Sequence, residues 1–193
     1  MRESNLGLEK IDWELLPKSA FKKCEKEEGY VYDYTIDVPI WGNMVNEIGI
    51  DFDISGTEND SKENAFNKVF EDIKKLLQWL DNNKKVVEEA IIEDDFLDLA
   101  DDWTASLDTV EIDGKEYRVD EEGIYIEVPI SREQFCNGFY FNSIGIDVEE
   151  LEDSTFNIEL SIFIDIEPDY FAGHSIELYI DSNHNIQVNG LAG

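Results

Sequence analysis

Residues 61–80 read SKENAFNKVFEDIKKLLQWL, and within them Phe66, Val69, Phe70, Ile73, Leu76, Leu77 and Leu80 recur at intervals of three and four. That spacing gathers them on one face of an α-helix, with Asp60 and Ser61 as caps at its start. Upstream, residues 30–38 (YVYDYTIDV) and 48–54 (IGIDFDI) alternate large apolar with polar side chains. Period two is the mark of strands with one buried face, and the two read as an antiparallel pair. Downstream, Asn82-Asn83 interrupts the helical row. Val86, Val87, Ala90, Ile91 and Leu97, with Ile92, Phe96, Leu99 and Trp103, then spread a broad apolar side over a second helical segment. The two segments predict a helical hairpin.

Strands dominate the remainder. TVEI and KEYRV flank Asp113-Gly114, a dipeptide that accepts the positive φ angles of a two-residue hairpin turn. Residues 123–128, 139–147 and 155–166 continue the β pattern. Ser131 followed by Gln134 has capping-box spacing for a short helix holding Phe135 and Cys136. Residues 176–180 and 185–191 flank a Ser182-Asn183-His184 turn. This order predicts an α+β fold, a mostly antiparallel sheet with a helical hairpin packed on one face. Residues 1–28 read as an N-terminal extension and 29–193 as a single domain. One internal echo stands out: IDVPI (36–40) returns as IEVPI (126–130), and NEIGID (46–51) as NSIGID (142–147). Duplication of a strand-loop-strand unit predicts two superposable strand pairs; chance similarity of strand sequences predicts none.

Charge narrows the function classes. The 193 residues carry 46 Asp plus Glu against 15 Lys plus Arg, a formal charge of -31. Nucleic-acid binding draws affinity from cations that displace counterions on phosphates, and an anionic membrane surface needs them too, so neither partner is expected. Disorder is also disfavoured, because 42% of residues are apolar and 12% aromatic, enough for a core. The imbalance is local: residues 86–193 hold only Lys115, Arg118 and Arg132 against 28 acids, net -25, whereas residues 1–85 are net -6. Such a field steers basic partners and opposes compaction. With no apolar run of signal-peptide or membrane-span length, the expected compartment is the cytoplasm, where Cys24 and Cys136 stay reduced.

Candidate sites are few. Glu93, Asp94, Asp95, Asp98, Asp101 and Asp102 place six carboxylates in ten residues. They read as a solvated helix face, or as a cation site or docking surface for a basic partner. The Gly-centred loop of an EF-hand is absent, so no metal is expected. Glu149, Glu150, Glu152 and Asp153 read as an exposed turn. Of the two histidines, His184 lies in an Asn-rich turn and is expected to be exposed and inert. His174 follows Gly173 in DYFAGHSIEL, with Asp169 upstream and Glu177 downstream. General acid/base work there requires Asp169 or Glu177 to orient the imidazole beside a pocket. The plainer reading is a half-buried histidine at a strand entrance. Trp41, Trp79 and Trp103 read as core, with an edge position open to Trp79. No nucleotide-binding loop, nucleophile elbow or zinc-protease pair occurs, and no cofactor is expected.

FLDLADDW (96–103), Phe135, NSIGID (142–147), DYFAGHSIEL (169–178) and Gly193 together resemble a bacterial family known as domain of unknown function 2262. The resemblance runs over about residues 30–193 and rests on Leu97, Leu99 and Trp103, on Ser143 and Ile144, and on Asp169, Phe171, Gly173, His174 and Ile176. It implies no established activity. Charge and the missing catalytic signatures therefore lead to a non-enzymatic acidic interaction module for a basic protein, an immunity-type partner of a toxin being one form of it. The alternative is a small-ligand binder or enzyme centred on Asp169, Gly173 and His174.

Overall fold

The computed structural model describes residues 11–24, 32–54, 59–120 and 123–193. Strands β1 (Lys22–Lys23), β2 (Tyr34–Ile40) and β3 (Asn43–Asp53) precede helices α1 (Asn59–Asn82), α2 (Lys84–Glu93) and α3 (Phe96–Thr104). Then come β4 (Asp108–Ile112), β5 (Lys115–Val119), β6 (Tyr125–Val128) and α4 (Arg132–Asn137). The chain closes with β7 (Phe139–Glu150), β8 (Phe156–Ile166), β9 (Ser175–Asp181) and β10 (Ile186–Ala192). Seven strands hydrogen-bond in the order β1-β2-β3-β7-β8-β9-β10, and β4-β5-β6 form a separate sheet. The fold is α+β with a mostly antiparallel large sheet, in which β3 and β7 run parallel. No helix of the described residues is long and apolar enough to cross a membrane.

The chain clusters into two compact units, one of residues 1–84, 143–162 and 179–187, the other of 85–142, 163–178 and 188–193. In the first, every apolar residue of the α1 row is buried, as are Ile36, Val38, Ile40, Ile48, Ile50 and Phe52 of β2 and β3. Burying a side chain of this size stabilises by about 1.5–3 kcal/mol, which is why the row decides the helix. Of the expected N-terminal extension, residues 11–24 are described and pack here. Phe21 lies between Phe66 and Phe70, and buried Trp13 donates through Nε1 to Asp81 at 3.1 Å. Residues 1–10 and 25–28, Tyr30 and Val31 of the first expected strand, and the Asp60 side chain lie outside the described residues. Because α1 starts at Asn59, Asp60 and Ser61 fall in its first turn rather than ahead of it.

In the second unit the long second helix expected over 86–103 is two helices. The break comes at Asp94-Asp95, where Asp95 takes φ 63°, a left-handed conformation that Asp tolerates better than most residues. Val87, Ile91, Phe96 and Ala100 are buried on both sides of it. The Asp113-Gly114 hairpin forms as expected, with φ of 52° and 79° and Val110 opposite Tyr117. Ser131 caps α4, its Oγ accepting from the Gln134 N–H at 3.1 Å. Neither cysteine is in a disulfide.

The echo resolves into two different outcomes. β2 and β3 form a hairpin, whereas β6 belongs to the three-stranded sheet and leads into α4, so the strand pair is not repeated. The later blocks of each set, however, lie side by side: Gly49 pairs with Gly145, Ile50 with Ile146 and Asp51 with Asp147. Each glycine has a close neighbour that an added Cβ would strike, the Tyr32 ring at Gly49 and, at 2.5 Å from such a Cβ, Ser161 Oγ at Gly145.

Candidate functional site

Asp169 holds a turn through both of its carboxylate oxygens. Its Oδ1 accepts from the Phe171 N–H at 2.9 Å and its Oδ2 from the Gly173 N–H at 2.7 Å. These bonds hold Ala172 and Gly173 at φ 53° and 85°, a conformation that glycine accepts without strain. The turn delivers half-buried His174 to the start of β9. The imidazole meets the edge of the Trp103 indole, centroids 5.7 Å apart, and a Cβ on Gly193 would lie 2.5 Å from its Nδ1. Phe171, fully buried, collects Phe96, Trp103 and Phe135 around it at 6.0, 5.9 and 6.4 Å. Beside this cluster, burial raises the pKa of the Tyr170 phenol, with Gln134 opposing. Glu177 accepts from Asn189 Nδ2 at 2.6 Å.

Segments singled out separately in the sequence therefore meet at Trp103, which is 40% exposed. It sits at the end of α3, the helix that carries Asp98, Asp101 and Asp102. Asp94, Asp95, Asp98 and Asp102 are exposed, and Asp101 is half-buried. Arg118 explains the difference: its guanidinium donates to the Asp101 carboxylate at 2.8 Å, to the Asp101 carbonyl at 2.8 Å and to Thr104 Oγ1 at 2.7 Å. Among the described residues no group of three His, Cys, Asp or Glu side chains is arranged to hold a metal.

The motifs Trp103, Phe135, Asp169, Phe171, Gly173 and His174 thus build one aromatic cluster with a structured turn across its edge. The family model of uncharacterized proteins conserved in bacteria, DUF2262, matches residues 33–191. The chain belongs to this family. No curated protein and no solved structure matches it. The DUF2262 match spans both the aromatic cluster and the acidic helices, as the sequence resemblance implied.

Three further features of this DUF2262 chain escaped sequence reasoning. The first is a cavity of about 530 Å³ lined by Lys75, Gln78, Trp79, Asn82, Asn83 and His184 among others. Here His184, exposed as expected, stacks flat on Trp79, held by a turn in which Asp181 accepts from the Asn183 and Asn185 N–H groups. Trp79 occupies an edge position, and neither Trp41 nor Trp103 is core: Trp41 is half-buried, donating through Nε1 to the Leu80 carbonyl at 2.7 Å. No local signal joins residues so far apart in the chain.

The second is Asp33, the one buried carboxylate among the described residues. Its Oδ2 accepts from Lys62 Nζ at 2.6 Å and from the Phe52 N–H at 3.0 Å. Burial pushes its pKa up, but Lys62 and the Phe52 amide outweigh that and hold it below the usual range. Burial and the neighbouring Asp33 push Asp51 the other way. The third is a groove lined by Tyr117, Tyr125, Glu127, Pro129, Glu133 and Gln134 among others, which the register of the Asp-Gly hairpin would have revealed.

Proposed function

We propose that this DUF2262 protein is a non-enzymatic interaction module that captures a basic protein through the carboxylates of its second half. One observation carries the reading. All three cations of residues 86–193 are committed within the fold, Lys115 to Glu127, Arg118 to Asp101 and Arg132 to Glu89, while no described carboxylate of that region is buried. The excess negative charge therefore faces outward with its own cations already engaged, and a field of that kind raises the rate and selectivity of association with a basic partner. An immunity-type module that neutralises a basic toxin is the finer form of the proposal.

A ligand-binding or catalytic reading centred on Asp169, Gly173 and His174 has less behind it. Asp169 is engaged by backbone amides, and none of the three residues lines either of the two cavities described above. The test is capture by the immobilised full chain. The expected partner is basic, and its retention falls roughly tenfold or more as salt rises from about 0.05 M to about 0.5 M, as screening shortens the range of the field. Retention of acidic or neutral partners alone, or capture indifferent to salt, overturns the proposal.

A further inference from the structure

The sheet β4-β5-β6 has two faces with different fates. Cross-strand partners share a face, so Thr109, Arg118 and Ile126 form one side and Val110, Tyr117 and Glu127 the other. The Arg118 side turns inward, since Ile126 is fully buried and Arg118 reaches α3. The Tyr117 side faces solvent and is unusually apolar for a surface: Val110 and Ile112 are exposed, and Tyr125 is 56% exposed.

From this side opens a groove of about 460 Å³ that includes Tyr117, Tyr125, Glu127 and Glu133. The tyrosines meet edge to face with centroids 6.2 Å apart. Lys115 places its ammonium 2.6 Å from Glu127 Oε1, which leaves Glu133 as the groove's carboxylate without a paired cation among the described residues.

Resting on the proposed capture of a basic protein, we infer that this outer face is where the partner is anchored, by an arginine side chain seated between Tyr125 and the carboxylate of Glu133. Charge complementarity selects a cation. The aromatic wall selects arginine over lysine, because a planar guanidinium stacks on a ring while its fork of donors meets a carboxylate, and an ammonium does not do both. Val110 and Ile112 on the same face supply apolar area beside the anchor, the arrangement of a buried contact with a charged rim.

The test is the affinity of the full chain for fluorescently labelled nona-arginine and nona-lysine, followed by anisotropy. The chain should bind nona-arginine several-fold more tightly than nona-lysine. Tyr125→Ala, which changes no charge, should weaken nona-arginine binding roughly fivefold and erase the preference. Tyr125→Phe should keep both, since the ring carries the contact. Asp94→Asn/Asp98→Asn/Asp102→Asn removes three charges elsewhere and should lower both affinities together without erasing the preference. If Tyr125→Ala binds as wild type, or the two peptides bind alike, the anchor is wrong while diffuse acidic capture stands. If neither peptide binds, both the anchor and the capture fall.

Discussion

The indole of Trp79 and the imidazole of His184 stack with their planes 3° apart and their centroids 4.7 Å apart. The contact fastens the β9–β10 turn to α1 through two partly exposed rings. A double-mutant cycle on Trp79→Ala and His184→Ala, read by urea denaturation, should return a coupling of about 0.5–1.5 kcal/mol. Simple additivity would mean that the rings touch without stabilising one another.

Asp33 and Asp51 should pull stability in opposite directions with pH. Asp33 titrates lower in the folded chain than in the unfolded one, so its contribution is present above the ordinary carboxylate range and disappears as acid protonates it. Asp33→Asn should then cost about 2 kcal/mol near pH 7, where half-buried Lys62 loses its closest anion, and the gap should close in acid. Asp51 titrates higher when folded, so its ionisation lowers stability as pH rises from the unfolded value through the folded one. Asp51→Asn should be neutral or stabilising at pH 7. Thermal melts from pH 3 to pH 8 check both signs.

The paired glycines should not be equally tolerant. Alanine at Gly49 drives a methyl group into the Tyr32 ring, whereas alanine at Gly145 meets a serine hydroxyl that can rotate away. Gly49→Ala should destabilise by about 1–3 kcal/mol and Gly145→Ala by clearly less, as chemical denaturation will show.

Arg118 joins the three-stranded sheet to the end of α3, the two N–H groups of one guanidinium nitrogen being shared among three acceptors. Arg118→Ala should cost about 2–3 kcal/mol. Hydrogen exchange should then quicken first in β4, β5 and the last turn of α3. Exchange that quickens evenly along the chain would argue against a local tie.

The row from Phe66 to Leu80 was legible because one buried face imposes its period on the sequence. The break at Asp94-Asp95 was not. The apolar residues before and after it both serve the core, so their pattern runs on while a single positive φ at Asp95 redirects the backbone. At the candidate site, Asp94, Asp95, Asp98 and Asp102 were legible as outward-facing because burying unpaired charge costs too much. Asp33 was not, because it takes a polar place in the alternating stretch just ahead of β2 and its cover, Lys62, comes from α1. Asp169 read as a group that could orient His174, and nothing in its spacing announced that both oxygens accept from the Phe171 and Gly173 amides. Tyr117 and Tyr125 gained meaning only once hairpin register placed them on one face.

The internal engagement of Lys115, Arg118 and Arg132 makes this half of the protein a small folded polyelectrolyte held by three clips. Added sodium chloride should therefore act on it with two opposite signs. Screening relieves repulsion among the remaining carboxylates and should raise the melting temperature, while the same ions weaken the grip on any cationic partner. The conditions in which the protein is most robust are those in which the proposed capture should be weakest.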